Sequence, residues 1–132
     1  MQDIPTLLEQ PNTTVAVVGA TDNPAKYGYV IYRDLKQKGY EVLPINPNRI
    51  TVDGDKAFSS LLMLSIKPAI VNIVVPPSVT IKILNTCYAI GLDNIWLQPG
   101  AESLESVDFL KKHGFNYLAN ACIMVKSRIV TQ

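Results

Sequence analysis

The residues best suited to chemistry lie in one segment, Gly19-Ala20-Thr21-Asp22-Asn23-Pro24-Ala25-Lys26-Tyr27-Gly28-Tyr29, directly after the apolar run Thr14 to Val18. Gly19 permits a sharp turn at the end of a strand. Thr21 and Asn23 can donate to phosphate oxygens, and Lys26 supplies a point charge. A pyrophosphate fits such a loop against the N-terminus of the next helix, where free N–H groups and the helix dipole favour negative charge. The segment is longer than the usual dinucleotide turn and does not read GxGxxG. Three further loops share its composition: Asn46-Pro47-Asn48-Arg49, Pro76-Pro77-Ser78 and Gln98-Pro99-Gly100. Together the four offer the backbone N–H groups and short polar side chains that cradle phosphate. Ordinary turns use the same residue types.

The second loop separates the nucleotides. An NAD site places an acid about 20 residues past the glycine turn, where it accepts the ribose hydroxyls. Asn46 to Arg49 holds no acid. Arg49 instead favours an extra phosphate on the ribose, which NADP carries on the 2′ oxygen and coenzyme A on the 3′ oxygen. Pro76 and Pro77 fix the chain and cannot donate. They shape an apolar wall for an adenine or a pantetheine arm, with the Gln98-Pro99-Gly100 turn opposite.

The usual catalytic sets are missing. His113 is the one histidine, and Lys111-Lys112-His113-Gly114 reads as a helix C-terminus, where a cation suits the dipole. No histidine is left to activate a serine or cysteine. No His/Cys/Asp group has metal-ligand spacing. Asp22 and Glu102 are the only carboxylates in the loop mouths and make no paired acid/base set; Glu102 reads as an exposed helix-entry acid. Cys122 falls where the fifth strand should end. It either faces a ligand thiol or packs as a small apolar residue, and packing is favoured. The expectation is a binding site with no catalytic residue and no metal.

Five apolar runs position these loops: Thr14–Val18, Glu41–Ile45, Ile70–Val75, Asn94–Leu97 and Phe115–Leu118. Helical stretches separate them. Tyr29 to Lys38 is capped by Gly39, a helix beginning at Ser78 is closed by Gly91, and Ser103 caps a helix carrying Leu104, Val107 and Leu110 before Gly114. Phe58 to Leu64 reads as a short helix, Pro5 to Glu9 as a leading one, and Asp53-Gly54 as a turn. Pro44 is expected at the end of its strand, because it removes a ladder donor. The strands are continuous apolar runs rather than alternating ones, which marks burial on both faces. The order βαβαβαβαβ with right-handed crossovers then gives an α/β, Rossmann-like, doubly wound and mostly parallel five-stranded sheet with helices on both faces.

The chain has 132 residues, which fits one domain spanning 1–132. Hydrophobic residues make up 48% and charged residues 17%, which excludes a disordered chain. The net charge of +1 gives no basic excess for nucleic acid. Met1 to Gln10 has an acid where a signal peptide needs bases. No apolar run approaches the ~18 residues of a membrane helix. Cys87 and Cys122 form no CxxC and are too few for a disulfide framework. A cytoplasmic protein with reduced thiols is expected.

In order and spacing, these motifs resemble a known family. Val17-Val18-Gly19-Ala20-Thr21 leads to Asn23-Pro24 and Lys26-Tyr27-Gly28. Gly39-Tyr40-Glu41-Val42 runs into Pro44-Ile45-Asn46-Pro47. Val74-Val75-Pro76-Pro77, Ile95-Trp96-Leu97-Gln98-Pro99-Gly100 and Cys122-Ile123 follow. From about Thr14 to Val125 the chain resembles the stand-alone CoA-binding domain proteins, whose domain is also the N-terminal Rossmann part of succinyl-CoA synthetase alpha subunits. The resemblance implies a five-stranded Rossmann-like fold that binds coenzyme A. It implies a phosphate loop at Gly19, Ala20, Thr21 and Asn23 with Lys26 and Tyr27. It places nucleotide contacts on Asn46, Pro47 and Arg49, a Pro-Pro loop on Pro76, Pro77 and Ser78, and a last loop on Gln98, Pro99 and Gly100. The synthetases carry their phosphohistidine in a second domain, so ligase chemistry is not implied. Many relatives have Asp-Arg before the cysteine; here Asn120-Ala121 stands there.

The leading expectation is a coenzyme A or acyl-CoA binder without catalytic machinery. One alternative is an NADP-dependent redox enzyme, which needs a proton donor from Tyr27, Tyr29 or Tyr32. Another is a protein-interaction module with a vestigial pocket, for which the apolar stretch Ile123 to Val130 offers a homodimer surface.

Overall fold

The computed structural model describes residues 3–10 and 12–128. β-Branched and apolar runs form five parallel strands: β1 (Thr14–Val18), β2 (Glu41–Ile45), β5 (Ile70–Ile73), β6 (Asn94–Leu97) and β7 (Asn116–Ala119). They lie in the order β2-β1-β5-β6-β7. A separate antiparallel hairpin, β3 (Thr51–Val52) and β4 (Asp55–Lys56), intervenes in sequence between β2 and β5. The helices are α1 (Ile4–Leu8), α2 (Tyr27–Gln37), α3 (Pro77–Ile90), α4 (Leu104–Lys112) and α5 (Ile123–Lys126).

The strands are buried on both faces, as their continuous apolar runs require. On one face Val15, Val17, Ile70 and Trp96 pack with Ile4, Leu8, Ile31, Tyr32, Leu35 and Ile123, from α1, α2 and α5. On the other, Ala16, Val18, Val71, Ile73, Ile95 and Leu97 pack with Leu84, Cys87 and Leu110, from α3 and α4. The sheet is therefore doubly wound. Connections leave β1 toward β2 and β5 toward β6, so the strand order reverses between β1 and β5. Open α/β sheets bind their ligands at such a reversal, beyond the carboxyl ends of the strands.

Several local expectations are corrected. Pro44 is not at the end of its strand but pairs in register with Val17. It is tolerated because β2 is an edge strand. The Gly19 N–H donates to the Ile45 carbonyl, so the neighbouring Pro44 turns its missing donor outward, where its own carbonyl accepts from the Phe58 N–H at 2.9 Å. The Asp53-Gly54 turn is present as expected and closes a hairpin: both residues have positive φ, 50° and 79°, as a two-residue type I′ turn demands. Phe58 to Leu64 forms only the 3₁₀ turn Leu61–Met63. Ser78 does not cap α3, because Pro76 takes the cap position and Pro77, with its preset φ, the first helical one. Helix α2 starts two residues earlier than expected. Ser103 does cap α4, accepting from the Ser106 N–H, but Leu104 is 86% exposed and only Leu110 of the expected stripe is fully buried. Ile123 packs in the core rather than outward, and Ile129 and Val130 of the expected homodimer stretch lie outside the described residues. Among the described residues no helix is long and apolar enough to cross a membrane.

Candidate functional site

Two glycines bring the first loop onto the sheet. Gly19 has φ +105°, and a Cβ there would lie 2.4 Å from the Val74 carbonyl oxygen. Gly28, in the first turn of α2, lies against the Gly19 carbonyl: a Cβ would be 1.9 Å from that oxygen. One glycine thus makes the turn at the β1/β5 reversal, and the other lets the helix pack on it. Sequence reasoning weighed Gly19 but gave Gly28 no role. The signal was the second glycine at the start of the helical stretch, nine residues on, rather than within the six of a dinucleotide turn.

The intervening residues bond among themselves. The Asn23 N–H donates to Thr21 Oγ1 at 3.2 Å, and the Ala25 N–H to Asn23 Oδ1 at 3.0 Å. Both side chains thereby use acceptors and keep donors for a ligand. Asn46, at the end of β2, ties this loop to its own: its Nδ2 donates to the Ala20 carbonyl at 2.9 Å, and its Oδ1 accepts from the Asn48 N–H at 2.8 Å.

Three adjoining cavities run along this edge. One of about 530 Å³ is lined by Gly19, Thr21, Asn23, Lys26, Asn46, Pro47, Arg49, Ser59, Ser60 and Pro76 among others. A second, about 420 Å³, shares Gly19, Lys26, Val74, Val75 and Pro76 with it and adds Tyr27, Gly28, Pro99 and Gly100. A third, about 130 Å³, continues from Tyr27, Val74 and Pro99 to Gln98 and Cys122. Together they form a cleft suited to an elongated ligand. It unites all four loops.

Three of the expected contact residues do not line the cleft. Ala20 is fully buried and contributes only its carbonyl to Asn46. Pro77 and Ser78 open α3, are exposed, and line none of the three cavities. Ser59 and Ser60 were missed; the Ile45–Phe58 bridge, paired outside β2, brings them to the cleft. No local motif in the sequence announces that long-range pairing. Gln98 lines the third cavity but is committed. Its Oε1 accepts from the Ile123 N–H at 2.9 Å, and its Nε2 donates to Cys122 Sγ at 3.4 Å. Glu102 closes the last loop locally, accepting from the Gly100 N–H at 3.2 Å.

The electrostatics favour an anion. The N-termini of α2 and α3 face the cleft and neither has a side-chain cap, whereas α4 has Ser103. The first N–H groups of α2 remain for a ligand, whereas α3 opens on two prolines without donors and its Val79 N–H is already bonded to the Pro76 carbonyl at 2.9 Å. Lys26 and Arg49 are the cations on its walls. The position at the end of β2 that would hold a ribose-binding acid holds Asn46. Of the tyrosines, only Tyr27 lines the cleft. Tyr29 lies under the Arg33 guanidinium. Tyr32 is buried against the hairpin and donates to Asp55 Oδ2 at 2.6 Å; burial, that hydrogen bond and the Asp55 charge hold its phenol protonated far above the ordinary value. The thiols also differ. Burial pushes Cys87 up to about 12, which makes it inert, while Cys122 is partly exposed beside the third cavity. His113 sits between the Tyr88 and Phe109 rings, at 4.3 and 4.4 Å, and lines none of the three cavities. Among the described residues no group of His, Cys, Asp and Glu is arranged to hold a metal.

Comparison with known proteins identifies the family. Residues 13–128 match the family model described as CoA binding domain. The chain is 30% identical over 120 residues to the uncharacterized protein YneT of Bacillus subtilis (strain 168), covering 88% of this chain and 86% of that protein. It is 27% identical over 120 residues to the acetate–CoA ligase (ADP-forming) II subunit alpha of Pyrococcus furiosus, and the match spans only 26% of that subunit. A solved structure of a conserved hypothetical protein from Pyrococcus furiosus superposes with a TM-score of 0.85 at 43% identity, covering 87% of this chain and 99% of that one. The chain belongs to the CoA binding domain family.

Proposed function

We propose that the cleft binds coenzyme A or an acyl-CoA and performs no chemistry on it. The observation that carries this reading is the anion site at the β1/β5 reversal. There Gly19 and Gly28 bring the uncapped N-terminus of α2 together with Lys26 and Arg49, and no acid stands in the ribose position. A pyrophosphate fits the loop Gly19 to Lys26, where backbone N–H groups, Thr21 and Asn23 can donate. A 3′-phosphate on the ribose fits Arg49, with Ser59 and Ser60 beside it. The pantetheine arm then lies along Val74, Val75, Pro76 and Pro99, and its sulfur end runs toward Tyr27 and Cys122. The residues fit a carrier or sensor role because no general base, metal set or activated nucleophile borders the cleft among the described residues.

The test is a calorimetric titration of the purified protein with CoA, dephospho-CoA, NADP and NAD. Saturable binding of CoA, tighter than of dephospho-CoA and with no heat from NAD, is expected. Binding of NADP alone would reverse the reading. It would direct attention to Tyr27 as the one tyrosine at the cleft.

A further inference from the structure

Asp22 stands out among the acids near the cleft. The hairpin acids are held by α2: Asp53 accepts from Arg33 at 3.0 Å and Lys36 at 3.2 Å, and Asp55 pairs with Lys36 at 2.8 Å and Tyr32 at 2.6 Å. Asp22, on the first loop, is placed differently. Its Oδ1 accepts from the backbone N–H of Asp53 at 2.8 Å, which pins the loop to the hairpin turn. Its Oδ2 lies 3.8 Å from Arg49 Nη1, the cation at the far wall of the largest cavity. Asp22 thus has one oxygen fixed and one turned toward the guanidinium that the ligand needs.

We infer that Asp22 sets the ligand preference of the cleft, by competing as an internal carboxylate with a phosphate monoester for Arg49. This rests on the reading of the cleft as a CoA site. The pair is open to solvent, with the Arg49 and Asp22 side chains 38% and 40% exposed, and its separation is long for an ion pair. Such a contact is weak. A dianionic phosphate in the same place outcompetes a single carboxylate, and the carboxylate left behind then repels it. Asp22 therefore lowers the affinity for any ligand carrying that phosphate and leaves a ligand without it unaffected. The effect is to keep such a ligand exchangeable rather than locked in.

Asp22→Asn isolates the effect, because an asparagine Oδ1 still accepts from the Asp53 N–H while the charge is gone. Calorimetry of wild type, Asp22→Asn, Arg49→Ala and the double variant, each with CoA and with dephospho-CoA, tests it. CoA should bind Asp22→Asn about two- to fivefold more tightly than wild type, the scale of one exposed charge pair. Dephospho-CoA should bind both proteins equally, and the gain should shrink in the Arg49→Ala background, where only the direct repulsion between carboxylate and phosphate is left. An unchanged or weakened CoA affinity, or an equal gain for both ligands, overturns the inference while leaving the CoA site in place. Absence of CoA binding to the wild type overturns the reading beneath it. Thermal unfolding of Asp22→Asn within a degree or two of wild type confirms that the hairpin contact is kept.

Discussion

Replacing Gly28 by alanine sets two physical arguments against each other. Gly28 lies in the first turn of α2 and has no positive φ, so helix propensity alone predicts that alanine stabilises by up to about 1 kcal/mol. The packing predicts the reverse. A Cβ on Gly28 would stand 1.9 Å from the Gly19 carbonyl oxygen, whereas ordinary contact begins at 3.4 Å. The helix and the turn must separate by about 1.5 Å, the difference between those distances. Neither yields easily. The Gly19 N–H is bonded to Ile45 at 3.0 Å, and a displacement of Gly19 toward β5 meets the Val74 carbonyl. Helix α2 is fixed by buried Ile31, Tyr32 and Leu35 and by its ion pairs to the hairpin. Overpacking of this kind costs about 1–3 kcal/mol, or more where backbone meets backbone. A net loss of about 1–2 kcal/mol corresponds to a fall in Tm of roughly 3–10 °C for a chain of this size. Differential scanning calorimetry reads it directly. CoA titration of the folded variant should show weakened binding too, because the displaced loop carries the phosphate donors. Gly54→Ala is the control. Its φ of +79° strains alanine and nothing lies within 4 Å, so Tm should fall without the backbone clash; any change in affinity should then be small and act through the Asp53 N–H that holds Asp22. A Gly28→Ala protein with an unchanged or raised Tm would refute the close approach and, with it, the reason this loop can lie on the sheet.

Further perturbations address the ligand and the hairpin. Arg49→Ala should weaken CoA about tenfold, from the loss of about 1.5 kcal/mol, the low end for a charged hydrogen bond because the side chain is exposed. The loss should be absent with dephospho-CoA. Lys26→Ala should weaken both ligands alike if it serves the pyrophosphate; calorimetry separates the two, and neither change should move Tm. Cys122 should react with a maleimide and be shielded by CoA, while Cys87, buried and with its thiol pushed up to about 12, stays unmodified until unfolding. Mass spectrometry of the labelled peptides checks this, and labelling unaffected by CoA would remove the sulfur end from the third cavity. Lys36 and Tyr32 hold Asp55 below its ordinary value of 3.8, so this contribution to stability is present above that pH and is lost as pH falls through the lowered one. Lys36, raised above 10.5 chiefly by its hydrogen bond to Asp55, contributes below that pH and loses its part as pH rises further. Asp55→Asn should flatten the acid limb of a Tm-against-pH curve; an unchanged limb would show that the hairpin pairs do not hold the fold.

The parallel sheet was legible because burial on both faces leaves a direct mark, the apolar runs Thr14–Val18 and Ile70–Val75, the second interrupted only by Asn72. Glycines at 91 and 114 and Ser103 announced their helix ends for equally local reasons. Errors arose where the deciding partner is remote in sequence. Pro44 looks unfit for a strand until its outward face is seen to need no donor. Ser78 is the local exception, since Pro76 and Pro77 directly before it take the cap and first helical positions. The β3–β4 hairpin carried a readable Asp-Gly signal, but two-residue strands are too short for a periodic pattern. The cleft follows the same division. Its loops were visible by composition, since anion binding needs the residues that turns need. Ser59 and Ser60 were not, because only the Ile45–Phe58 bridge brings them there. Gln98, expected at the ligand, lines the third cavity, and its buried amide also holds the turn that presents Cys122.

The length of the first loop now has a physical account. In a dinucleotide turn the glycines of GxGxxG make the bend, approach the pyrophosphate and admit the helix within six residues. Here the bend at Gly19 and the helix contact at Gly28 lie nine residues apart, and the chain between them is free to do more. It stiffens itself through the Thr21 and Asn23 turns, so that ordering the loop costs a ligand less than it would for a floppy insertion. It also extends far enough for Asp22 to reach the Asp53 N–H on the hairpin and the Arg49 guanidinium. A six-residue turn leaves no room for such a reach. The long loop, the hairpin and Arg49 therefore form one device. Shortening the loop would separate the phosphate cradle proposed for Gly19 to Lys26 from the Asp22–Arg49 pair proposed to tell a phosphorylated ribose from an unphosphorylated one.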